Sequence, residues 1–94
     1  MLTFEWDIRK AIRNHARHGI SFDDALRVFA DPLGRFLDDA GHSVTEERFV
    51  LLGSSSAGTL LAVMFTDRGP DRIRIISARH ATRRERSQYE QEAE

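Results

Sequence analysis

Residues 72–86, RIRIISARHATRRER, begin as a strand and end as a helix. Ile73 and Ile75 fall on one face and Arg72 and Arg74 on the other, the period of two expected of a strand through Arg79. Thr82 then opens a helix, with Glu85 three residues later completing a capping box. With Arg68 just upstream, the segment carries seven arginines against Asp71 and Glu85. A guanidinium grips phosphate through two parallel hydrogen bonds and stays charged at any working pH. A cationic strand feeding a cationic helix therefore predicts one continuous surface for a polyanion.

Working back toward the N-terminus, residues 67–71 (DRGPD) read as a turn. Residues 59–66 (TLLAVMFT) form the most apolar run and read as the central strand. Residues 47–54 (ERFVLLGS) give another strand, and 35–38 a weaker one. Asp31-Pro32 ends a helix that Ser21 opens, with Asp24 in the capping-box position and Phe22, Ala25, Leu26 and Phe29 as its buried stripe. Asp7 caps an earlier helix that Gly19 stops. Ile8, Ala11, Ile12 and Ala16 make its apolar face, while Lys10, Asn14, Arg17 and His18 lie together on another. Leu2, Phe4 and Trp6 alternate in a short first strand. The expected fold is α+β in the order β-α-α-β-β-β-β-α, an antiparallel sheet with the helices packed on one face.

Composition bounds the class. The 94 residues make one domain, 1–94, whose last few residues are expected to fray, and the 40% apolar content suffices for a thin core. There is no cysteine, which removes disulfides and zinc–thiolate sites. Neither a signal-like apolar run nor a membrane-length one is present, so the expected location is the cytoplasm. Lys+Arg number 14 against 15 Asp+Glu, so positive charge is concentrated rather than abundant. The acids are sorted too: residues 31–47 hold Asp31, Asp38, Asp39, Glu46 and Glu47 against Arg35 alone. Such sorting suits a polyanion on one patch and a cationic partner on another, or charges that pair within the fold.

The chemistry narrows by elimination. His15 and His18 are three apart on one helix, but no metal-site spacing such as HExxH accompanies them, so no metal or other cofactor is expected. The serines at 54, 55 and 56 lack a nucleophile-elbow context, and no glycine-rich phosphate loop is present. RNA, however, carries its own nucleophile in the 2′-hydroxyl. A protein that cleaves it need only remove that proton, stabilise charge on the phosphorane and protonate the leaving oxygen. Arginines suit the second task, and Glu47, His18, His42 or Lys10 the first or third. Each of these also has a plainer reading, as a solvated side chain or an internal ion pair.

The order FEWD (4–7), Lys10, Asn14, RHGISFDDA (17–25), VFADP (28–32), His42, EERF (46–49) and RIISARHATRRE (74–85) closely resembles the BrnT family of bacterial type II toxins. The match runs through nearly the whole chain, to about Tyr89. The resemblance implies a RelE-like fold and a metal-independent endoribonuclease that blocks translation. It also implies a BrnA-like antitoxin partner in a 2:2 heterotetramer, which represses its own operon by binding operator DNA through the antitoxin. No membrane partner is implied. Carried over position by position, Arg68 and Arg79 become phosphate ligands and Glu47 the preferred general base. Arg48 holds phosphate or orients Glu47, and Lys10 and His18 are acid or substrate-positioning groups. Arg72, Arg74 and Arg83 fall on the RNA-binding surface. Trp6 offers an indole for base stacking, or else locks the first strand to the first helix. The chain departs from the family's usual pattern at Asp67, at Pro70-Asp71 beside Arg68, and at His80, where lysine usually follows ISAR. The alternative reading is a non-catalytic nucleic-acid-binding or corepressor partner of the antitoxin.

Overall fold

Alternation along the apolar run does more than build one core face. The computed structural model describes residues 1–37 and 47–93, and in it Leu61, Val63 and Phe65 face one side of a sheet while Leu60, Ala62 and Met64 face the other. Strands β1 (Thr3–Glu5), β2 (Arg35–Leu37), β3 (Phe49–Ser54), β4 (Leu60–Asp67) and β5 (Arg72–His80) form one sheet in the order β1-β5-β4-β3-β2. Helices α1 (Ile8–His18) and α2 (Phe22–Ala25) follow β1, a 3-10 turn (Leu26–Ala30) leads to β2, and α3 (Arg83–Ala93) follows β5. The expected α+β architecture and element order are present, with the second helix reduced to one α turn and a 3-10 continuation. None of the described helices is long and apolar enough to cross a membrane.

Three expectations change. The sheet is mixed: β1 joins β5 in parallel, with Thr3, Phe4 and Glu5 opposite Arg72, Ile73 and Arg74. The helices do not share a face. Those preceding β2 cover Leu51, Leu61, Val63, Phe65, Ile73 and Ile75, whereas Tyr89 of α3 packs with Val50, Leu52, Leu60 and Ala62 on the opposite side. A run apolar on both faces needs cover on both, which a nearly continuous hydrophobic strand signals. Finally, Ile8 and Ile12 are 65% and 63% exposed, so the apolar stripe read on α1 does not face the core.

What α1 turns inward instead is Asn14, buried, with Ala11 half-buried beside it. Its Nδ2 donates to the carbonyls of Ala78 (2.9 Å) and Ile20 (3.1 Å), and its Oδ1 accepts from the Ala78 N–H (3.0 Å). Because β1 covers only Arg72–Arg74, β5 beyond that point presents an open edge; the Asn14 carboxamide takes the place of a strand peptide there. Gly19 ends α1 in the left-handed conformation at φ 71°, as expected of a C-terminal glycine. On the other flank, Gly53 lets the 3-10 turn close onto β3. A Cβ there would stand 3.1 Å from both Val28 Cβ and the Val28 carbonyl oxygen.

Asp31 ties the layers together. Its Oδ1 accepts from Leu33 N–H (2.9 Å), and its Oδ2 accepts from Ser54 N–H (2.8 Å) and from the Tyr89 hydroxyl (2.7 Å). Burial raises the Asp31 carboxyl, but the hydrogen bonds from Tyr89, Ser54 and Leu33 outweigh it and leave it below its ordinary value. The same contact pushes the Tyr89 phenol up to about 12. Arg35 adds a bond from Nη1 to the Gln88 carbonyl (2.9 Å), so α3 is anchored at two consecutive residues. The helix itself runs through Ala93.

Candidate active site

Strand register sorts the predicted site residues by face and by height. On the α3 face, one row across the sheet reads Arg35–Leu52–Ala62–Arg79, the next Leu37–Val50–Met64–Ser77, and a third Thr66–Arg74–Glu5. Arg74 and Arg79 therefore share a face, four β4 positions apart, or about 13 Å of strand. Arg72 follows the same alternation but is exposed at the start of β5.

The strand arginines are internally neutralised. Arg74 Nε donates to Glu5 Oε2 at 2.8 Å, and Arg72 Nε lies 3.7 Å from Glu5 Oε1. The Arg74 hydrogen bond holds the Glu5 carboxyl below the usual carboxylate range, with the charges of Arg74, Arg72 and Arg68 adding to it. Arg79 makes a two-pronged contact with Glu85, Nη1 to Oε1 at 2.7 Å and Nη2 to Oε2 at 2.9 Å. Glu85 also accepts from the Thr82 N–H (2.9 Å) while its own N–H donates to the Thr82 hydroxyl (3.1 Å), so the expected capping box is present. The Arg79 hydrogen bonds, with those of Thr82 behind them, outweigh partial burial and bring the Glu85 carboxyl down to about 2. Glu85 thus occupies the two donors of Arg79 that a phosphate would use.

Arg79 is also where the strand meets α1. The open edge of β5 and the exposed flank of α1 bound a cleft of about 750 Å³, lined by Lys10, Arg13, Asn14, Arg17, His18, Ser77 and Arg79 among others, with no carboxylate among the described residues of its lining. A β-bulge helps to shape it: the pairing jumps from Met64–Ser77 to Phe65–Ile75, leaving Ile76 as the extra residue in the cleft wall. Lys10, His18 and Arg79 all line this cleft. Arg17 was grouped with Lys10 and His18 by helical spacing alone. Arg13 was missed, although three residues from Lys10 and four from Arg17 put it on the same face.

The remaining predicted residues stand elsewhere. Arg68 lies in the turn after β4, with its N–H donating to the Arg72 carbonyl (2.9 Å). Glu47 and Arg48 precede β3, whose first residue pairs with Phe65, so they approach the same end of the sheet as Arg68. Arg79 pairs with Ala62, five positions from Asp67 and about 17 Å along β4. A single phosphate cannot contact both groups. The strand register thus places Glu47 and Arg79 toward opposite ends of the sheet. Trp6 packs edge-to-face on Phe22 of α2, ring centroids 5.8 Å apart, against the core. Arg83 is exposed on the first turn of α3, and His80 is exposed at the end of β5. His42 lies outside the described residues, as do Asp38, Asp39 and Glu46. Among the described residues no three histidine, aspartate or glutamate side chains gather as a metal-ion site.

Fold and cleft define a small α+β domain that concentrates guanidinium groups around one edge of its sheet. The chain belongs to the family of ribonuclease toxins, BrnT, of type II toxin–antitoxin systems, whose model matches residues 6–85. Its fold is similar to that in the 1.1 Å crystal structure of the Brucella abortus ribonuclease toxin BrnT, with a TM-score of 0.67 and 22% sequence identity over 88% of this chain and 100% of that one. A search of curated proteins found no match to the chain.

Proposed function

We propose that this chain is a metal-independent endoribonuclease whose nucleophile is the 2′-hydroxyl of the RNA, and that it stops translation by cutting RNA. The observation that carries this reading is that Lys10, His18 and Arg79 line one cleft whose described lining holds no carboxylate. Imidazole is the side chain suited to moving protons near neutral pH, so His18 takes the 2′-hydroxyl proton. The 2′-oxygen bonds to phosphorus, Arg79 holds the charge on the phosphorane, and the bond to the 5′-oxygen breaks. Lys10 gives that oxygen a proton. The products are a 2′,3′-cyclic phosphate and a 5′-hydroxyl, with every proton accounted for. For Arg79 to act, phosphate displaces the Glu85 carboxylate, exchanging one bidentate anion for another. Glu47, Arg48 and Arg68, at the other end of the sheet, hold RNA beyond the scissile link, together with Arg72, Arg74 and Arg83.

Membership of a toxin family of type II systems supports an antitoxin partner. We assign that role to a BrnA-like protein in a 2:2 complex that represses its own operon.

Arg79→Lys tests the enzymatic part. Lysine keeps the charge but not the two-pronged grip. Cleavage should fall at least tenfold while binding of a 2′-O-methyl RNA, which lacks the nucleophile, changes little. Equal losses in both would favour the non-catalytic binding or corepressor reading.

A further inference from the structure

The arginines of β5 and those lining the α1 wall of the cleft differ in how far the fold neutralises them, and the difference points to the path of the RNA. Arg72, Arg74 and Arg79 are held by Glu5 and Glu85. Arg13 and Arg17 have no ion-pair partner among the described residues, both are exposed, and both line the α1–β5 cleft. A guanidinium already neutralised within the fold exchanges one anion for another on binding, whereas an unneutralised one adds its full attraction. The second set is thus the stronger source of affinity for a polyanion.

Resting on the ribonuclease reading above, we propose that Arg13 and Arg17 form a phosphate track that lays single-stranded RNA along α1 and delivers it to Arg79. Arg13 and Arg17 lie about one turn apart on one helix face, roughly 6 Å along the axis. A step of that order matches successive phosphates of an extended strand, one guanidinium to each. The Ile76 bulge widens the opposite wall, placing Ser77 and Arg79 across the cleft from these cations. The substrate is single-stranded because attack by the 2′-oxygen needs it in line with the departing 5′-oxygen, an arrangement A-form stacking does not provide. Both residues are positioning groups for the RNA rather than participants in bond cleavage.

The test uses the full chain and a fluorescent, all-2′-O-methyl RNA twelve-mer, with affinity measured by anisotropy across a salt series. Arg13→Gln/Arg17→Gln is compared with Arg9→Gln/Arg27→Gln, two exposed arginines that do not line the cleft. Losing two phosphate contacts should reduce the slope of log K against log salt by about 1.4, at about 0.7 per contact for single strands. The control pair should leave the slope unchanged. On cleavable RNA the cleft variant's loss should fall on KM. Circular dichroism and the thermal midpoint check that the variants fold, as exposed substitutions should allow. An unaltered slope in the cleft variant, with the parent still cleaving, would overturn the track and leave the ribonuclease standing. An equal drop in the control pair would also overturn it. A parent chain that neither binds nor cleaves RNA would remove both proposals together.

Discussion

The side-chain amide of Asn14 bonds both the N–H and the C=O of Ala78, completing a sheet edge with a side chain from α1. Ala78 immediately precedes Arg79, so the same contact fixes where α1 and the strand arginine stand relative to each other. Replacing Asn14 by Leu leaves the Ala78 N–H and two carbonyls, those of Ala78 and Ile20, without their partner. Buried groups left in that state cost about 1–3 kcal/mol each before relaxation. A loss of about 2–4 kcal/mol in urea unfolding is expected. A change below about 0.5 kcal/mol, the range of ordinary surface substitutions, would contradict the role given to this amide.

Glu85→Gln separates the neutralisation of Arg79 from its position. Glutamine can still cap α3, but it no longer competes as an anion for the guanidinium. The variant should unfold at lower temperature yet bind 2′-O-methyl RNA more tightly. Its salt slope should steepen by about 0.7, the value of one newly available phosphate contact. Weaker RNA binding with an intact fold would show that Glu85 serves the site in some other way.

Two carboxylates and one phenol set the pH range over which α3 stays docked. The Glu85 carboxyl titrates near 2 in the folded chain against an ordinary value of 4.5, and Asp31 is lowered in the same direction. Their stabilising contribution is complete above the ordinary value and is lost as pH falls through the folded one. Tyr89 runs the opposite way, contributing fully below 10 and losing that contribution as pH rises through about 12. Because the chain has a single tyrosine, its ultraviolet titration reports this site alone. A midpoint near 12 that returns toward 10 in Asp31→Asn is expected; a midpoint near 10 in the parent would contradict the contact.

Gly53→Ala probes the seam between the 3-10 turn and β3. The new methyl would meet Val28 Cβ and the Val28 carbonyl oxygen at 3.1 Å, and backbone has little room to yield. Destabilisation of about 1–3 kcal/mol is expected, as for overpacking of a dense core. It can be read by the same urea titration.

Much of this architecture was legible in the sequence because it is local. Asp7 and Ser21 accept hydrogen bonds from Arg9 and Asp24 as their capping positions imply, and Gly19 ends α1. The strand alternation of Ile73 and Ile75 against Arg72 and Arg74 is also local. The failures are tertiary. Periodicity on α1 favoured Ile8 and Ile12, but the open edge of β5 selected Asn14, and nothing in a helical period announces a missing strand. Arg79 and Glu85 meet across a strand-to-helix corner whose angle the sequence does not encode. The separation of Arg68 from Arg79, by contrast, was readable in advance. A hairpin places a residue beside its tip far from one at its open end.

The central claim is that RNA is cut by its own 2′-hydroxyl on a surface organised by Arg79. The most direct measurement incubates purified chain with RNA in excess EDTA and determines the product ends, with Arg79→Gln alongside. The account predicts 2′,3′-cyclic phosphate and 5′-hydroxyl ends, strongly reduced in the variant. RNA that stays intact while being bound in a salt-dependent manner, or products ending in a 3′-hydroxyl, would contradict it.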